Sequence, residues 1–435
     1  MKSLILLLFP VLLGAQPTPE ARTQQVFEMW RAGRYDAVYA MFGEQMHKGL
    51  SLEKYRQISE QIKSAGQINI TGAAQTLKNG QYVVVTIPFD AGSTALGFRL
   101  TWDKNDQIAG MFFTPGKSSS AKWEAPAYCD PALFEAHDLT IGDDEWKLPG
   151  TLTTPKGEGP FPAVVLVHGS GPNDRDESIE GTKIFKDLAY GLSSRGIAVL
   201  RYAKRSKIYP QRFAPTATFT MNEETVDDAV RMAAFLRTRS SIDAGRIFVI
   251  GHSQGGYMAP RIGKRDPKLA GLIVLAGNVR PLEDLILEQI EYLASLQGGR
   301  AVQQQANLDE WLKRQVQEIK DFKPGQKVPS LLPVPPAYLL DLQGYNPAAL
   351  AGSLTMPMLI LQGERDYQVT MQDFALWKAA LGNRPNVSFI SYVNLNHLFI
   401  AGEGKSTPAE YASGHVQQAV VEDITRWIQS LPRSR

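Results

Sequence analysis

The chain has 435 residues, room for two or three domains at about 150 residues each, and 43% of them are hydrophobic and 21% charged. That balance is ordinary globular usage and excludes a disordered chain, a collagen-like repeat and a coiled coil. With 46 Lys and Arg against 44 Asp and Glu, the net charge is only +2, so the concentrated basic face that nucleic-acid binding needs is missing; the single cysteine, Cys129, allows no intrachain disulfide.

Lys2 supplies a short positive start, residues 4–13 form an apolar run broken by Pro10, and the run ends at Gly14-Ala15-Gln16. This pattern reads as a signal peptide over residues 1–15, cleaved after Ala15; the alternative is an uncleaved anchor. The run is shorter than the ~20 apolar residues of a spanning helix. No cysteine follows it to take a lipid, and no later stretch is apolar for long enough to cross a bilayer. The expectation is an exported protein, periplasmic or secreted, with no membrane span.

Residues 20–114 read as a small α+β domain, helices first and strands after. Segments 23–32 and 35–46 carry Val26, Phe27, Trp30, then Val38, Tyr39, Phe42 at helical spacing, with Gly33 as the stop between them. Ser51 caps a third helix that runs to about residue 63. Strands are expected over 68–77, 81–90, 95–102 and 107–114, with Asn79-Gly80 as a hairpin turn. This domain offers no catalytic cluster; its histidine, His47, reads as a surface residue at a helix end.

Residues 115–127, opened by Pro115-Gly116-Lys117-Ser118-Ser119-Ser120, form a linker. From 128 to 435 the rhythm changes. Short apolar runs at 163–167, 197–202, 246–250, 271–276, 358–362 and 387–392 alternate with helical stretches such as 223–238, 374–381 and 415–429. Such alternation predicts an α/β fold with a mostly parallel sheet, buried on both faces, whose active groups gather at the carboxyl ends of the strands. Residues 136–141 and 147–153 form an antiparallel lead-in hairpin. Segment 278–352 breaks the rhythm with helices over 282–296 and 307–319 and a proline-rich piece, and reads as a helical cap.

Gly251-His252-Ser253-Gln254-Gly255 fits G-x-S-x-G between a strand and a helix, a sharp turn that presents a serine hydroxyl at the top of the sheet. Ser253 is therefore the candidate nucleophile. It needs a base, and the chain has six histidines. His47 lies in the first domain, His137 in the lead-in hairpin, and His252 beside the serine on the turn. His397, in the loop after the last strand, is the choice, with His415 at the start of the final helix as runner-up. Asp366, in Gly363-Glu364-Arg365-Asp366 after a strand end, is the candidate carboxylate that orients the imidazole; Glu364 is second. The order Ser253, Asp366, His397 is that of an α/β-hydrolase. The loop His168-Gly169-Ser170-Gly171-Pro172 offers main-chain donors for an oxyanion hole, assigned to the amides of Ser170 and Gln254, while His168 holds the loop by hydrogen bonding. No G-x-G-x-x-G register, phosphate loop, H-E-x-x-H or Cys/His cluster is present, so no cofactor and no metal are expected.

On these residues the segment 128–435 resembles a bacterial serine α/β-hydrolase of the carboxylesterase and serine-aminopeptidase-like superfamily. The carriers are Val167-His168-Gly169-Ser170-Gly171-Pro172 with Asp174-Arg175-Asp176, then Gly251-His252-Ser253-Gln254-Gly255-Gly256, Gly363-Glu364-Arg365-Asp366 and Asn396-His397. Residues 20–115, through Gly33-Arg34-Tyr35 and the helix-then-sheet order, resemble the domain of unknown function DUF3887 that precedes such hydrolases. In one departure, relatives often read Arg-Tyr-Asp-Lys-Arg where this chain has Arg201-Tyr202-Ala203-Lys204-Arg205, which removes a carboxylate near the oxyanion loop. The resemblance implies cleavage of short-chain acyl esters through an acyl-enzyme. Alternatives are a serine aminopeptidase-like peptide or amide hydrolase, with Glu283, Asp284 and Glu288 of the cap receiving a free amine; an acyl-CoA thioesterase, which export disfavours; and a non-catalytic binding protein. The expected partner is a small-molecule ester, with a homodimer through the N-terminal domain as a further possibility.

Overall fold

The computed structural model describes residues 17–79, 82–92, 94–115, 123–143, 145–179, 181–213, 218–296 and 302–432. The signal peptide expected over 1–15, most of the expected linker and Gly80 of the expected hairpin lie outside the described residues. The chain divides into two compact units, residues 1–121 and 122–435.

In the first unit, α1 (Pro19–Arg31) is capped by the Thr18 hydroxyl, which accepts from the Ala21 N–H, and the chain turns away at Gly33 with φ 75°. The single helix expected over 35–46 is instead two, α2 (Tyr35–Tyr39) and α3 (Glu44–Gly49). Phe42 bridges to Ile108 between them and is buried, so pairing with a distant strand overrides local helix propensity. α4 (Leu52–Lys63) begins at Ser51, whose hydroxyl accepts from the Lys54 N–H.

The strand expected over 68–77 is also two, β1 (Ile68–Ile70) and β2 (Gln75–Asn79). Both pair antiparallel with β3 (Tyr82–Ala91), β1 along Phe89–Ala91 and β2 along Tyr82–Thr86. The gap falls opposite Pro88, which has no N–H to give to a ladder. β4 (Thr94–Trp102) and β5 (Ile108–Pro115) complete the antiparallel sheet. Phe89, Phe98 and Phe113 line its inner face against Phe27 and Trp30 of α1, with ring centroids 5.0–5.6 Å apart. Trp102 Nε1 donates to Thr23 Oγ1 at 2.8 Å, so α1 and the sheet share a buried polar tie.

The second unit opens with the hairpin β6 (Phe134–Ile141) and β7 (Leu148–Pro155), then β8 (Phe161–Val167), a two-residue hairpin β9 (Ser178–Ile179) and β10 (Thr182–Lys183), and α5 (Ile184–Ser193). β11 (Ala198–Tyr202), α6 (Arg205–Ile208), α7 (Asp227–Arg237), β12 (Ile242–His252), α8 (Gln254–Arg265) and β13 (Gly271–Leu275) follow. α9 (Leu282–Leu296), α10 (Val302–Lys320), α11 (Pro336–Leu342) and α12 (Pro347–Gly352) come next, then β14 (Met358–Gly363), α13 (Met371–Leu381), β15 (Val387–Tyr392) and α14 (Gln418–Ser430).

Eight of these strands form one sheet in the order β15-β14-β13-β12-β8-β11-β7-β6, antiparallel at β6/β7 and β7/β11 and parallel elsewhere. Alternate side chains feed two cores. Val165, Val249 and Ile360 pack with α7, α8 and α13, and Val164, Phe248 and Leu359 pack with α5 and α14. Each fully buried aliphatic side chain contributes about 1.5–3 kcal/mol, which explains why these strands read as unbroken apolar runs. After β8 the chain adds β11 on one side, then crosses to add β12 on the other. The reversal leaves a crevice at the carboxyl ends of β8 and β12, where ligands bind in open α/β sheets.

Three helices differ from expectation. The stretch 222–226 is a π-helical turn that carries Glu224 and Thr225 inward, so α7 is regular only from Asp227. α14 starts at Gln418, after His415, because Asp187 takes both the His415 ring and the Val416 N–H. α12 packs on α8 and α13 with Ala348 and Ala351 in the sheet core, joined there by Tyr338 of α11, so the later part of segment 278–352, expected as a cap, packs into the sheet core.

Candidate active site

β12 runs into α8 through one residue, Ser253, with φ 52° and ψ −115°. A non-glycine residue held there costs on the order of 1–3 kcal/mol, and the surroundings enforce it. A Cβ at Gly251 would stand 2.2 Å from the Gly255 carbonyl oxygen, and one at Gly255 would stand 2.1 Å from the Val167 carbonyl oxygen. α8 can therefore approach β12 and β8 only with glycine at both places. Ser253 N–H donates to the Leu275 carbonyl at 2.9 Å. Gln254 is the first residue of α8, where an N–H has no acceptor within the helix.

His397 Nδ1 lies 2.7 Å from Asp366 Oδ2, and both residues are buried. Gln362 Nε2 also donates to Asp366 Oδ2, at 3.0 Å, and the main-chain amides of Gln368 and Val369 donate to Oδ1 at 2.7 and 3.0 Å. Four donors thus hold one carboxylate. The His397 loop is set by Asn396, whose Oδ1 accepts from the Leu398 and Ile400 amides and whose Nδ2 donates to Glu410. Glu364 is exposed and accepts from Ser391 Oγ, away from the imidazole. His415 pairs with Asp187 at 3.1 Å and is not part of the cavity wall.

Ser253, His397, Ser170 and Gln254 all line one cavity of about 570 Å³. The side formed by segment 278–352 is lined by the apolar Leu285 and Ile286 of α9 and Val334 just before α11. The structure thus brings together the candidate nucleophile, base and both residues expected to give oxyanion donors. It does not bring in the acidic cap residues considered for a free amine. Asp284 pairs with Lys320 at 2.6 Å, Glu288 pairs with Arg280 at 2.7 Å, and neither they nor Glu283 line the cavity.

His168 holds the loop after β8, its Nε2 lying 3.0 Å from the Asp174 carbonyl. Burial drives its pKa down to about 4, so the ring is neutral. The neighbouring histidine, His252, is shifted the other way. Burial alone lowers the His252 pKa, but the Glu177 carboxylate, 3.2 Å from Nδ1, together with the His397 carbonyl and Asp366, turns the net shift upward. Glu177 is likewise opposed by its own burial and brought below the usual carboxylate range by His252. His252 Nε2 donates to the His397 carbonyl at 3.0 Å.

Three residues of this neighbourhood escaped the sequence reading: Glu177, Lys204 and Glu224, all buried. Lys204 Nζ donates to the Gly169 carbonyl at 2.9 Å and lies 3.4 Å from Glu224 Oε1. Beside Ala203, Lys204 thus reaches the loop after β8 at the Gly169 carbonyl, and Glu177 reaches it at the Gly169 N–H. The Arg-Tyr-x-Lys-Arg run was the available signal for Lys204; Glu177, directly after Asp174-Arg175-Asp176, carried none.

The family model described as "Serine aminopeptidase, S33" matches residues 159–404, and the model "Protein of unknown function (DUF3887)" matches residues 23–111. The chain is 40% identical over 403 residues to Esterase EstD of Thermotoga maritima, covering 91% of each. Among solved structures, an esterase of Pyrococcus furiosus is 16% identical with a TM-score of 0.44, covering 72% of this chain and 97% of the other. The esterase of Pyrobaculum calidifontis is 19% identical with a TM-score of 0.43, covering 69% and 87%. With matches over most of its length, this chain belongs to the serine aminopeptidase S33 family of α/β-hydrolases and carries a DUF3887 unit ahead of the hydrolase unit.

Proposed function

We propose that the chain is an exported serine esterase that hydrolyses carboxylic esters of short acyl chains through an acyl-enzyme on Ser253. The observation that carries this reading is the shared cavity wall of Ser253 and His397, with His397 Nδ1 held 2.7 Å from a buried Asp366. In this reading Ser253 Oγ attacks the ester carbonyl while His397 Nε2 takes its proton. Asp366 keeps the other ring proton on Nδ1 and balances the imidazolium. The Ser170 and Gln254 amides receive the oxyanion, a contribution of about 3 kcal/mol per donor. Collapse breaks the C–O bond, and the departing alcohol takes the proton from His397. Water then repeats the sequence on the acyl-enzyme and releases the acid.

The 40% identity to an esterase supports an ester substrate, and so does a lid wall of Leu285, Ile286 and Val334 without a free carboxylate to hold an amine. p-Nitrophenyl acetate and butyrate should turn over, and Ser253→Ala should abolish that turnover with the fold intact; full activity in that variant refutes the nucleophile. Faster cleavage of aminoacyl amides or acyl-CoAs than of esters overturns the substrate class. Export rests on residues 1–15, and a mature N-terminus at Gln16 in secreted material is the expected result. For the N-terminal unit we infer pairing with a second copy. The register puts exposed Leu77 and Phe112 on the sheet face turned away from α1. A monomeric mass in solution would overturn this.

A further inference from the structure

We propose that Glu177 and Lys204 are positioning residues that clamp Gly169 from both ends and thereby aim the Ser170 N–H as an oxyanion donor; this rests on the esterase reading. The Gly169 N–H donates to Glu177 Oε1 at 2.6 Å. The Gly169 carbonyl accepts from Lys204 Nζ at 2.9 Å and from Asn173 Nδ2 at 3.2 Å. Across a trans peptide the next N–H points opposite to that carbonyl, so a fixed Gly169 C=O fixes the line of the Ser170 N–H. An oxyanion donor works because it is aimed before the charge develops. Bonds to an ammonium and a carboxylate hold that aim more strongly than neutral ones.

Burial shows why this arrangement has a positional meaning. Glu177 and Lys204 are each 2% exposed. Taking a charge out of water costs several kcal/mol, and a buried ion pair is often matched in stability by an apolar replacement. Each charge has one polar side-chain partner, Glu177 the His252 ring at 3.2 Å and Lys204 the Glu224 carboxylate at 3.4 Å. Both partners reach onward into the site. His252 donates to the His397 carbonyl, and Glu224 accepts from Gln254 Nε2 at 3.2 Å. One buried charge network therefore touches the backbone of the oxyanion loop, the side chain of the second donor residue and the backbone of the base. No slack is available at its centre, because a Cβ on Gly169 would lie 2.9 Å from Glu177 Oε1 and 3.2 Å from Ser253 Cβ.

The test compares the parent with Lys204→Met, which keeps the aliphatic stem, and with Glu177→Gln, which keeps the shape. Active sites are counted with a fluorophosphonate, so kcat is expressed per reactive serine. Each variant should lose about 30- to 100-fold in kcat on p-nitrophenyl butyrate, below the ~100- to 1,000-fold of a deleted donor. KM should stay within about twofold, and affinity for a butyryl trifluoromethyl ketone should fall in parallel with kcat. A merely structural role lowers the count of reactive serines and leaves kcat per site and ketone affinity unchanged. Values within threefold of the parent for both variants overturn the clamp. If Lys204→Met does not fold, Glu177→Gln decides by the same two readouts. A parent that neither cleaves esters nor takes the label sinks the esterase reading itself, whereas an active parent matched by its variants sinks the clamp alone.

Discussion

Replacing Asp366 by asparagine turns one acceptor oxygen into a donor NH₂, removes the charge and keeps the shape, which makes its effect calculable. With the amide oxygen at Oδ1, the Gln368 and Val369 amides keep their acceptor. The new NH₂ then stands 2.7 Å from His397 Nδ1 and 3.0 Å from Gln362 Nε2, where the carboxylate accepted from both. Flipping the amide only moves the conflict to the two main-chain N–H groups. His397 escapes by baring Nδ1 and carrying its proton on Nε2, the atom that must be empty to receive the proton of Ser253. Loss of the correct tautomer costs about 10³–10⁴ in kcat, or ~4–5.5 kcal/mol of barrier at 1.36 kcal/mol per decade. Gln362 Nε2 keeps the Val369 carbonyl at 2.8 Å and the Gly363 carbonyl at 3.2 Å as acceptors, so the loss of stability should stay under about 1 kcal/mol. Steady-state hydrolysis of p-nitrophenyl butyrate across the neutral range, together with thermal unfolding, reads both quantities. Glu364→Gln is the matched control and should stay within about twofold, because its carboxylate meets only Ser391 Oγ. A folded Asp366→Asn enzyme within about tenfold of the parent would refute the reasoning, since no second carboxylate contacts the His397 ring among the described hydrogen bonds.

His168 makes the fold sensitive to acid. Its pKa falls from 6.5 in the unfolded chain to about 4 in the native state, so the unfolded state binds the proton first. The resulting stabilisation is full above 6.5 and is lost as pH falls toward 4; at pH 5 the loss is ~2 kcal/mol. His168→Gln, which can still donate to the Asp174 carbonyl, should show a smaller drop in unfolding free energy between neutral pH and pH 5; an unchanged slope counts against a neutral buried ring. Gly255→Ala forces a methyl to within 2.1 Å of the Val167 carbonyl oxygen, so it should destabilise by ~3 kcal/mol or more and nearly abolish turnover. Gly352→Ala, with nothing within 4 Å, should be close to neutral in a parallel melt, and equal effects would count against the close approach of α8 to β8.

Much of the hydrolase unit was legible because its information is local. A strand buried on both faces must be apolar throughout, and a serine in a strand-turn-helix needs glycines at Gly251 and Gly255. Asp366 and His397 stood out because each follows a strand end, where a parallel sheet gathers its loops. What stayed hidden depends on contacts between distant residues. The break between α2 and α3 is made by Phe42 pairing with Ile108, and the split of β1 from β2 lies opposite Pro88, each a partner far along the chain. The late start of α14 is set by Asp187, which claims His415 and Val416. Glu177 and Lys204 are buried by residues far along the chain, which the order of residues alone does not show. Alternation of charge and apolarity cannot announce contacts such as Glu177 with His252 or Lys204 with Glu224, whose members lie 75 and 20 residues apart.

Segment 278–352 also has a consequence for how this enzyme can be altered. The chain leaves the sheet at the end of β13 and returns to it at β14, its immediate neighbour, with Leu272 beside Met358 and Leu275 beside Leu361. The two attachment points are therefore adjacent in the sheet, while Tyr338, Ala348 and Ala351 of the span between them pack into the sheet core. Closing a segment between such points costs only about 0.6 kcal/mol more each time its length doubles. The span thus behaves as an exchangeable cassette within one limit: a different length or composition can be set there while the strands beneath keep their register, provided that the core places of Tyr338, Ala348 and Ala351 stay filled.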